Sequence, residues 1–556
     1  METIQTALQK LISSLFDGDE VVELTRTEPE FGDFSTNIAM KMSKRLGQNP
    51  RTIAEKLIPE IQKIPGVKEV TVAGPGFINL RLNDDVIAAM LVSATSTPQS
   101  LAGKVIVAEY SDPNPFKILH AGHLYTSVVG DAIANIMQDA GGEVHRVNFG
   151  GDVGLHVGKT MWAMIKTLGS DNPSTLNAFK TVEQRTTLLA DSYIAGTAAY
   201  EDDDHAKEEI ITLNKAVYQV HTQKDHESNL AKIYWTTRTW SYDYFDNFYD
   251  RIGTTFEKYY PESEVADLGL KVVKDHMQPG IFEESDGAIV FKGEPFGLHT
   301  RVFINQQGLP TYEAKDVGLI FTKKHEYNFD ISVVITGNEQ EQYMKVVLKA
   351  IEQFDPEIVS QTKHLTHGLV KLKGGVKMSS RKGNILRATD ILDEANAANV
   401  KVSGKTDERV TLGAVKYSFL KIRTGGDIIY DPAESVATEG NSGPYLQYAH
   451  ARARSIVAKS TSDIEKSISE LEPGERTLAV KLTEFGEVVG QAAESLTPHL
   501  VCTYLYELSQ EFNRFYEHNR VIDDPREAER LYLVNVYASI LKKGLELLGI
   551  HAPETM

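Results

Sequence analysis

Two imidazoles bracket a glycine in His120-Ala121-Gly122-His123, and a crowd of cations stands much later in Lys377-Met378-Ser379-Ser380-Arg381-Lys382-Gly383-Asn384. The glycine removes a side chain so that a ligand can approach the backbone, while the histidines can donate hydrogen bonds to phosphate oxygens as charge builds on them. Taken alone, a histidine near a helix start is more often a cap or a satisfied core residue. The cationic stretch follows Gly374 and Gly375, which makes it a loop able to close, and its charges can neutralise a polyphosphate. A solvated basic turn is its plainer reading. A third group is acidic: Glu109 closes an apolar run, and Tyr312 and Asp316, four apart, share one face if their segment is a helix. Carboxylates held at fixed angles match the planar fork of a guanidinium, so such a pair fits a flat cation.

These residues need elements to hold them. Val105-Ile106-Val107-Ala108 is a short apolar run, as in a strand buried on both faces. The spacing of Val129, Ile133, Ile136, Met137 and Ala140 predicts a helix over about 123–140, stopped by Gly141-Gly142, and 144–149 reads as the next strand. The His-x-Gly-His group therefore lies between a strand and its helix, where a helix N-terminus meets phosphates. Strand, helix, strand begins a doubly wound parallel sheet, whose ligands sit at the carboxyl ends of the strands. The alternation resumes with a strand at 331–335, a helix at 343–354 and a strand at 365–372. Between them, about 166–294 reads as a mostly helical insertion.

The expected fold class is thus multidomain α/β. A small α+β unit spans 1–99, with a hairpin whose arms, 67–72 and 77–82, flank Gly74-Pro75-Gly76. A Rossmann-type unit spans 100–387, a connecting helical segment 388–438, and an all-α bundle 439–556. In that bundle Asp524-Pro525-Arg526-Glu527 reads as an N-cap, a first-turn proline and a capping-box glutamate. Leu531, Val534, Ala538, Leu541, Leu545 and Leu548, and Val501, Leu505, Leu508, Phe512 and Phe515 one helix earlier, are packing faces.

Bulk properties narrow the function class. A chain of 556 residues exceeds a single core, and a net charge of −19 opposes indiscriminate attachment to nucleic acid, so an RNA partner must find local basic faces. The single cysteine, Cys502, permits neither an internal disulfide nor a thiolate metal site. Ile4, Leu8, Leu11, Ile12 and Leu15 pattern an amphipathic helix and not a signal sequence, and no apolar run is long enough for a bilayer, so the cytoplasm is the expected compartment.

Together and in this order, His120-Ala121-Gly122-His123 and Lys377-Met378-Ser379-Ser380-Arg381 resemble the two signature sequences of class I aminoacyl-tRNA synthetases. The acidic group and its surroundings resemble the arginyl-tRNA synthetases among them. The likeness takes in residues 110–123, 150–159, Glu284-Ser285-Asp286-Gly287-Ala288 and the helix start at Gly443-Pro444-Tyr445, and so spans nearly the whole chain. It implies an arginine–tRNA ligase: ATP activates L-arginine to an adenylate, magnesium shields the pyrophosphate, and the arginyl group passes to the 3′-terminal adenosine of tRNA(Arg). It further implies that activation needs bound tRNA.

The resemblance also implies roles. His120, His123, Lys377, Arg381 and Lys382 would be catalytic; Lys117, Gly122, Met378 and Ser379 would bind ATP; Glu109, Asn114, Tyr312, Asp316 and Gln340 would line the arginine pocket. Ser380 stands where the pattern has a second lysine, which leaves Arg381 or Lys382 to supply that charge. Phe31-Gly32-Asp33-Phe34-Ser35-Thr36-Asn37, with Lys41, Lys44 and Arg45, resembles the added N-terminal domain that reads the outer corner of tRNA. In the last domain Tyr445, Tyr448 and Arg452, with His450 and Arg454, are suited to stacking unpaired bases and pairing phosphates. A monomer is expected. The alternative is a catalytically silent, synthetase-like RNA-binding protein, against which the presence of both signatures argues.

Overall fold

The apolar run at 105–108 is the middle strand of a five-stranded parallel sheet in the computed structural model, which describes residues 2–16, 20–373, 386–460, 468 and 470–556. In chain order the strands are β1 (Val105–Glu109), β2 (Glu143–Gly150), β3 (Lys258–Pro261), β4 (Ile331–Gly337) and β5 (Thr362–His367), and in space they run β5-β4-β1-β2-β3. Successive side chains of a strand face opposite ways. Ile106 and Ala108 accordingly enter one core, while Val107 enters another, and each of the three is fully buried. Burial on both faces is why the run is uniformly apolar.

From β1 the chain crosses to β2 on one side and returns, after a long excursion, to β4 on the other. The carboxyl ends of β1 and β4 therefore splay apart at a topological switch point, where such sheets leave a crevice. Helix α1 (Ala121–Asp139) follows β1 and packs on one face. Helices α2 (Asn229–Ile252), α3 (Glu262–Asp275) and α4 (Tyr312–Tyr327) carry the excursion back. Glycines let α3 and α4 touch backbone to backbone: a Cβ on Gly269 would lie 1.9 Å from the Ala314 carbonyl oxygen, and one on Gly318 2.2 Å from that of Val265.

Three details depart from the sequence reading. The stretch read as a mostly helical insertion also contains β3, an edge strand of the main sheet, because the polar-aromatic Lys258-Tyr259-Tyr260 lacks the apolar signature of a central strand. The strand expected over 365–372 is two: β5 ends at His367, and Val370–Leu372 pairs instead with Ile428–Tyr430. Gly368 separates them, at a point where a Cβ would lie 2.3 Å from the Gly426 carbonyl oxygen. The last helix begins at Glu527 and not beside Asp524, whose carboxylate caps a preceding turn by accepting from the Arg526 N–H at 2.9 Å.

At the N-terminus the hairpin Val67–Ala73 and Phe77–Leu82 extends to Phe34–Thr36 and Thr25–Arg26 in a four-stranded antiparallel sheet. At the other end, helices Gly443–Lys459, Pro473–Leu482, Phe485–Ser495, His499–His518 and Glu527–Leu547 form a bundle in which the predicted packing positions are buried. Cys502 is buried among them. No helix among the described residues is long and apolar enough to cross a membrane.

Candidate active site

Between the end of β1 and the start of α1 the backbone is strained. Ser111 (φ 74°), Asp112 (φ 49°) and Phe116 (φ 67°) occupy the left-handed region that side chains with a Cβ disfavour. Specific hydrogen bonds hold them there. Ser111 Oγ lies 2.8 Å from the Tyr249 hydroxyl and 2.9 Å from Ser127 Oγ. Asp112 Oδ1 accepts from the Phe149 N–H at 2.8 Å, Asn114 Oδ1 from that of Gly151 at 2.7 Å, and Ser241 Oγ from that of Phe116 at 3.0 Å. Ser241 and Tyr249 belong to α2, so the excursion braces the loop that follows β1.

That loop delivers His120 to the N-cap of α1. The His120 Nδ1 accepts from the Gly122 N–H, and the His123 Nδ1 accepts from the His120 N–H, each at 3.1 Å, while the two rings stack with centroids 3.9 Å apart. A nitrogen that accepts cannot carry the proton of a neutral imidazole, so in both rings the proton is on Nε2. Burial is the main cause that lowers the pKa of each ring, and for His123 the fall is large, its neighbour His120 adding to it. Both are therefore neutral donors at pH 7. Neither Nε2 has a hydrogen-bond partner among the described residues, and both rings line one cavity of about 460 Å³. The cap reading and the phosphate reading are thus compatible: one nitrogen caps the helix and the other is free to donate.

The same cavity, at the β1–β4 switch point, is lined by Glu109, Asn114, Gly122, Tyr312, Asp316 and Gln340. Glu109 and Asp316, 207 positions apart by subtraction of their residue numbers, meet there. Asp316 accepts a hydrogen bond from the Tyr343 hydroxyl, and burial, assisted by the charge of Glu109, pushes its carboxyl up to about 8. Glu109 differs from expectation in one respect: it already has a cation, the Lys323 ammonium, which also donates to Ser332 Oγ at 3.3 Å. Both members of that pair are buried. Tyr312 stands at the rim, more than half exposed.

Several lining residues were not singled out from sequence: Asp112, Glu262, Glu313 and Tyr343, together with Thr126 and His367 behind the histidine pair. Lys323 had a legible signal, since it lies seven positions after Asp316 and so on the same face two turns along α4. Asp112 had none, because its place depends on a left-handed turn.

Other expected residues lie elsewhere. Lys117 does not itself line the cavity but lies near enough to act on the charge of His120, His123 and Glu262; its Nζ sits 5.3 Å from the Tyr193 ring centroid, and burial lowers its pKa. Lys377, Met378, Ser379, Arg381 and Lys382 lie outside the described residues. In the C-terminal bundle Tyr448 is exposed, Tyr445 accepts from Asn513 at 2.9 Å, and Arg452 stacks on Tyr516 at 4.7 Å. His450 is not available to a ligand: it is fully buried, with Nδ1 2.9 Å from the Pro553 carbonyl oxygen. Arg454 pairs with Glu554 at 2.7 Å. In the N-terminal motif, Asp33 is engaged by Arg476 through two bonds of 2.9 Å, a structural use of that residue.

Comparison with known proteins adds three family matches: residues 2–82 match the arginyl tRNA synthetase N terminal domain, 86–427 the catalytic domain of "tRNA synthetases class I (R)", and 446–556 the DALR anticodon binding domain. The chain is 32% identical to an arginine–tRNA ligase of Thermobifida fusca, over 99% of both chains. It is 27% identical to that of Flavobacterium psychrophilum, over 100% of this chain and 99% of the other. Among solved structures, Thermus thermophilus arginyl-tRNA synthetase superposes with a TM-score of 0.77 at 25% identity, covering 100% of this chain and 99% of its own.

Proposed function

Since this chain belongs to the arginyl-tRNA synthetases of class I, we propose that the cavity at the β1–β4 switch point is where its arginine–tRNA ligase reaction runs, with ATP and arginine side by side. What supports this reading above all is that Glu109, Asp316, Tyr312 and Gln340 line the same cavity as His120, Gly122 and His123. The guanidinium lies against Asp316, Glu109 and Tyr312, with Asn114 and Gln340 on the remaining polar groups of the amino acid. An oxygen of the arginine carboxylate attacks the α-phosphorus of ATP, the bond to the bridging oxygen breaks, and pyrophosphate leaves. His120 and His123 donate from Nε2 to phosphate oxygens that gain charge in this step, and Gly122 admits the nucleotide to the backbone. Lys117 and, from the signature loop, Lys377, Met378, Ser379, Arg381 and Lys382 serve the phosphates. The 3′-terminal ribose hydroxyl of tRNA then attacks the arginyl carbonyl, and AMP leaves. No protein nucleophile is needed, because positioning and electrostatics carry both steps.

Magnesium fits as a companion of the nucleotide. Glu339, an exposed carboxylate on the cavity wall close enough to His120 to act on its charge, would hold the ion together with the phosphates of the nucleotide. When bound, the ion neutralises the departing pyrophosphate. Tyr445, Tyr448 and Arg452 contact tRNA(Arg), and the protein acts as a cytoplasmic monomer. Functional units follow the divisions 1–99, 100–387, 388–438 and 439–556.

The test is aminoacylation of purified tRNA(Arg) with arginine or lysine, alongside ATP–pyrophosphate exchange with and without tRNA. Arginine alone should be charged, and His123→Ala should lose exchange by about a hundredfold or more. Lysine charging, or near-normal exchange in His123→Ala, would reject the assignment.

A further inference from the structure

Behind the histidine pair stands a third imidazole, which the proposed reaction leaves without a role. His367 ends β5, is almost fully buried, and lines the same cavity together with Thr126, one turn along α1 from Gly122. Three short contacts run through these two side chains. The His367 Nδ1 lies 2.8 Å from the Gly368 carbonyl oxygen, its Nε2 lies 2.6 Å from Thr126 Oγ1, and that hydroxyl lies 2.9 Å from the Gly122 carbonyl oxygen.

The count of hydrogens fixes the charge state that this chain of contacts fits. Both of its ends are carbonyl oxygens, which only accept, so three contacts need three hydrogens. A neutral imidazole and a hydroxyl supply two. With the ring proton on Nδ1, the Thr126 hydroxyl donates either to Nε2 or to Gly122, and the remaining contact has no hydrogen. An imidazolium supplies it: Nδ1–H donates to Gly368, Nε2–H to Thr126, and the hydroxyl to Gly122.

Such a charge needs an anion beside it. The titratable groups facing the ring are His120, His123 and Tyr125 from α1 and Glu339 from the turn after β4. The two histidines are neutral, the Tyr125 ring centroid lies 4.5 Å away, and Glu339 acts on the ring without an ion pair among the described residues. Asp427, which faces Tyr125, is already held by Lys371 at 2.5 Å. Burial therefore holds the His367 pKa below the ordinary imidazole value, and a polyphosphate in the cavity would reverse that balance. Resting on the reading of this cavity as the ATP site, we propose that His367 takes up a proton from solvent at Nε2 when the nucleotide binds and holds it through the activation step. The Thr126 hydroxyl then turns from Nε2 to the Gly122 carbonyl. His367 is thus a positioning residue, which adds a positive charge at the amino end of α1 and ties down the turn that carries Gly122.

Calorimetry of magnesium-ATP binding to the full chain, without arginine and in buffers of different ionisation enthalpy, reads this proton. At about pH 7.5 the magnesium complex of ATP has no proton of its own to exchange, so the wild type should take up about half to one proton per nucleotide and His367→Gln none. Imidazole nitrogen-15 spectra of the complex, with the His367 signals identified by their loss in the variant, should show both ring nitrogens protonated. In pyrophosphate exchange the wild-type kcat should fall at alkaline pH as His367 gives up the proton. His367→Gln should lack that fall and have a kcat lower by about tenfold or more near neutrality, whereas a merely structural loss would lower kcat alike at every pH. Thr126→Val keeps the side-chain shape and removes the acceptor of Nε2; it should also diminish the uptake, and carries the test should His367→Gln fold poorly. Uptake absent from the wild type, uptake undiminished in the variants, or an unprotonated Nε2 in the complex overturns the proposal. A wild type that binds no magnesium-ATP would instead reject the underlying reading of the cavity, and this proposal with it.

Discussion

At the scale of single residues, burial in the cavity disfavours charge on His120, His123 and Asp316. The two histidines are neutral because burial disfavours the imidazolium, and their Nδ1 atoms are committed to the backbone, which leaves Nε2–H donors with a fixed direction. Asp316 shows the converse, a carboxyl pushed from 3.8 to about 8. Its folded pKa is the higher one, so the native state holds the extra proton between those values. The stability from this group is present at low pH and is lost as pH rises through about 8. On the proposed placement of the guanidinium against Asp316, arginine needs the ionised form, so its binding at pH 7 should release protons, and Asp316→Asn should reduce that number by about one. Calorimetry in buffers of different ionisation enthalpy reads this directly; a heat independent of buffer would sink it. The residue types were legible in the sequence, whereas the prior claim of Lys323 on Glu109 was not, since β1 and α4 meet only in the fold.

At the scale of elements, what places Asp316 is the crossing of α3 and α4. Gly269 and Gly318 remove the side chains that would hold these helices apart. Gly318→Ala should therefore cost about 1–3 kcal/mol and shift α4, raising the KM for arginine while the KM for ATP stays put. Urea unfolding and steady-state exchange measure the two effects, and wild-type values in both would show that the crossing has slack. The periodicity of α4 predicted a face shared by Tyr312 and Asp316, and the helix Tyr312–Tyr327 has it. Periodicity says nothing about how closely another helix approaches, and so the glycines carried no message of their own. The same limit explains β3, whose Lys258-Tyr259-Tyr260 reads as polar-aromatic sequence and becomes a strand by pairing with β2.

At the scale of the molecule, the two ends of the chain lock to each other. Arg476 of the C-terminal bundle reaches both oxygens of Asp33 at 2.9 Å, Asp84 at 2.9 Å and the Leu82 carbonyl, while Arg26 binds Glu487 at 2.9 Å. Asp33 is buried, so Arg476→Met would leave it uncompensated, a loss of about 3–5 kcal/mol. The N-terminal unit should then be cut by protease under conditions that spare the wild type; equal resistance would mean that the lock is dispensable. This lock shows where sequence stops. Strands, helices and their signature groups could be read from it, because apolar period and glycine placement act locally through backbone geometry. Partnership could not: whether Asp33 meets an arginine or solvent and whether Glu109 arrives already paired depend on contacts between residues far apart in the chain. Those contacts are set by packing and by the burial of charge, and both exist only once the chain has closed on itself.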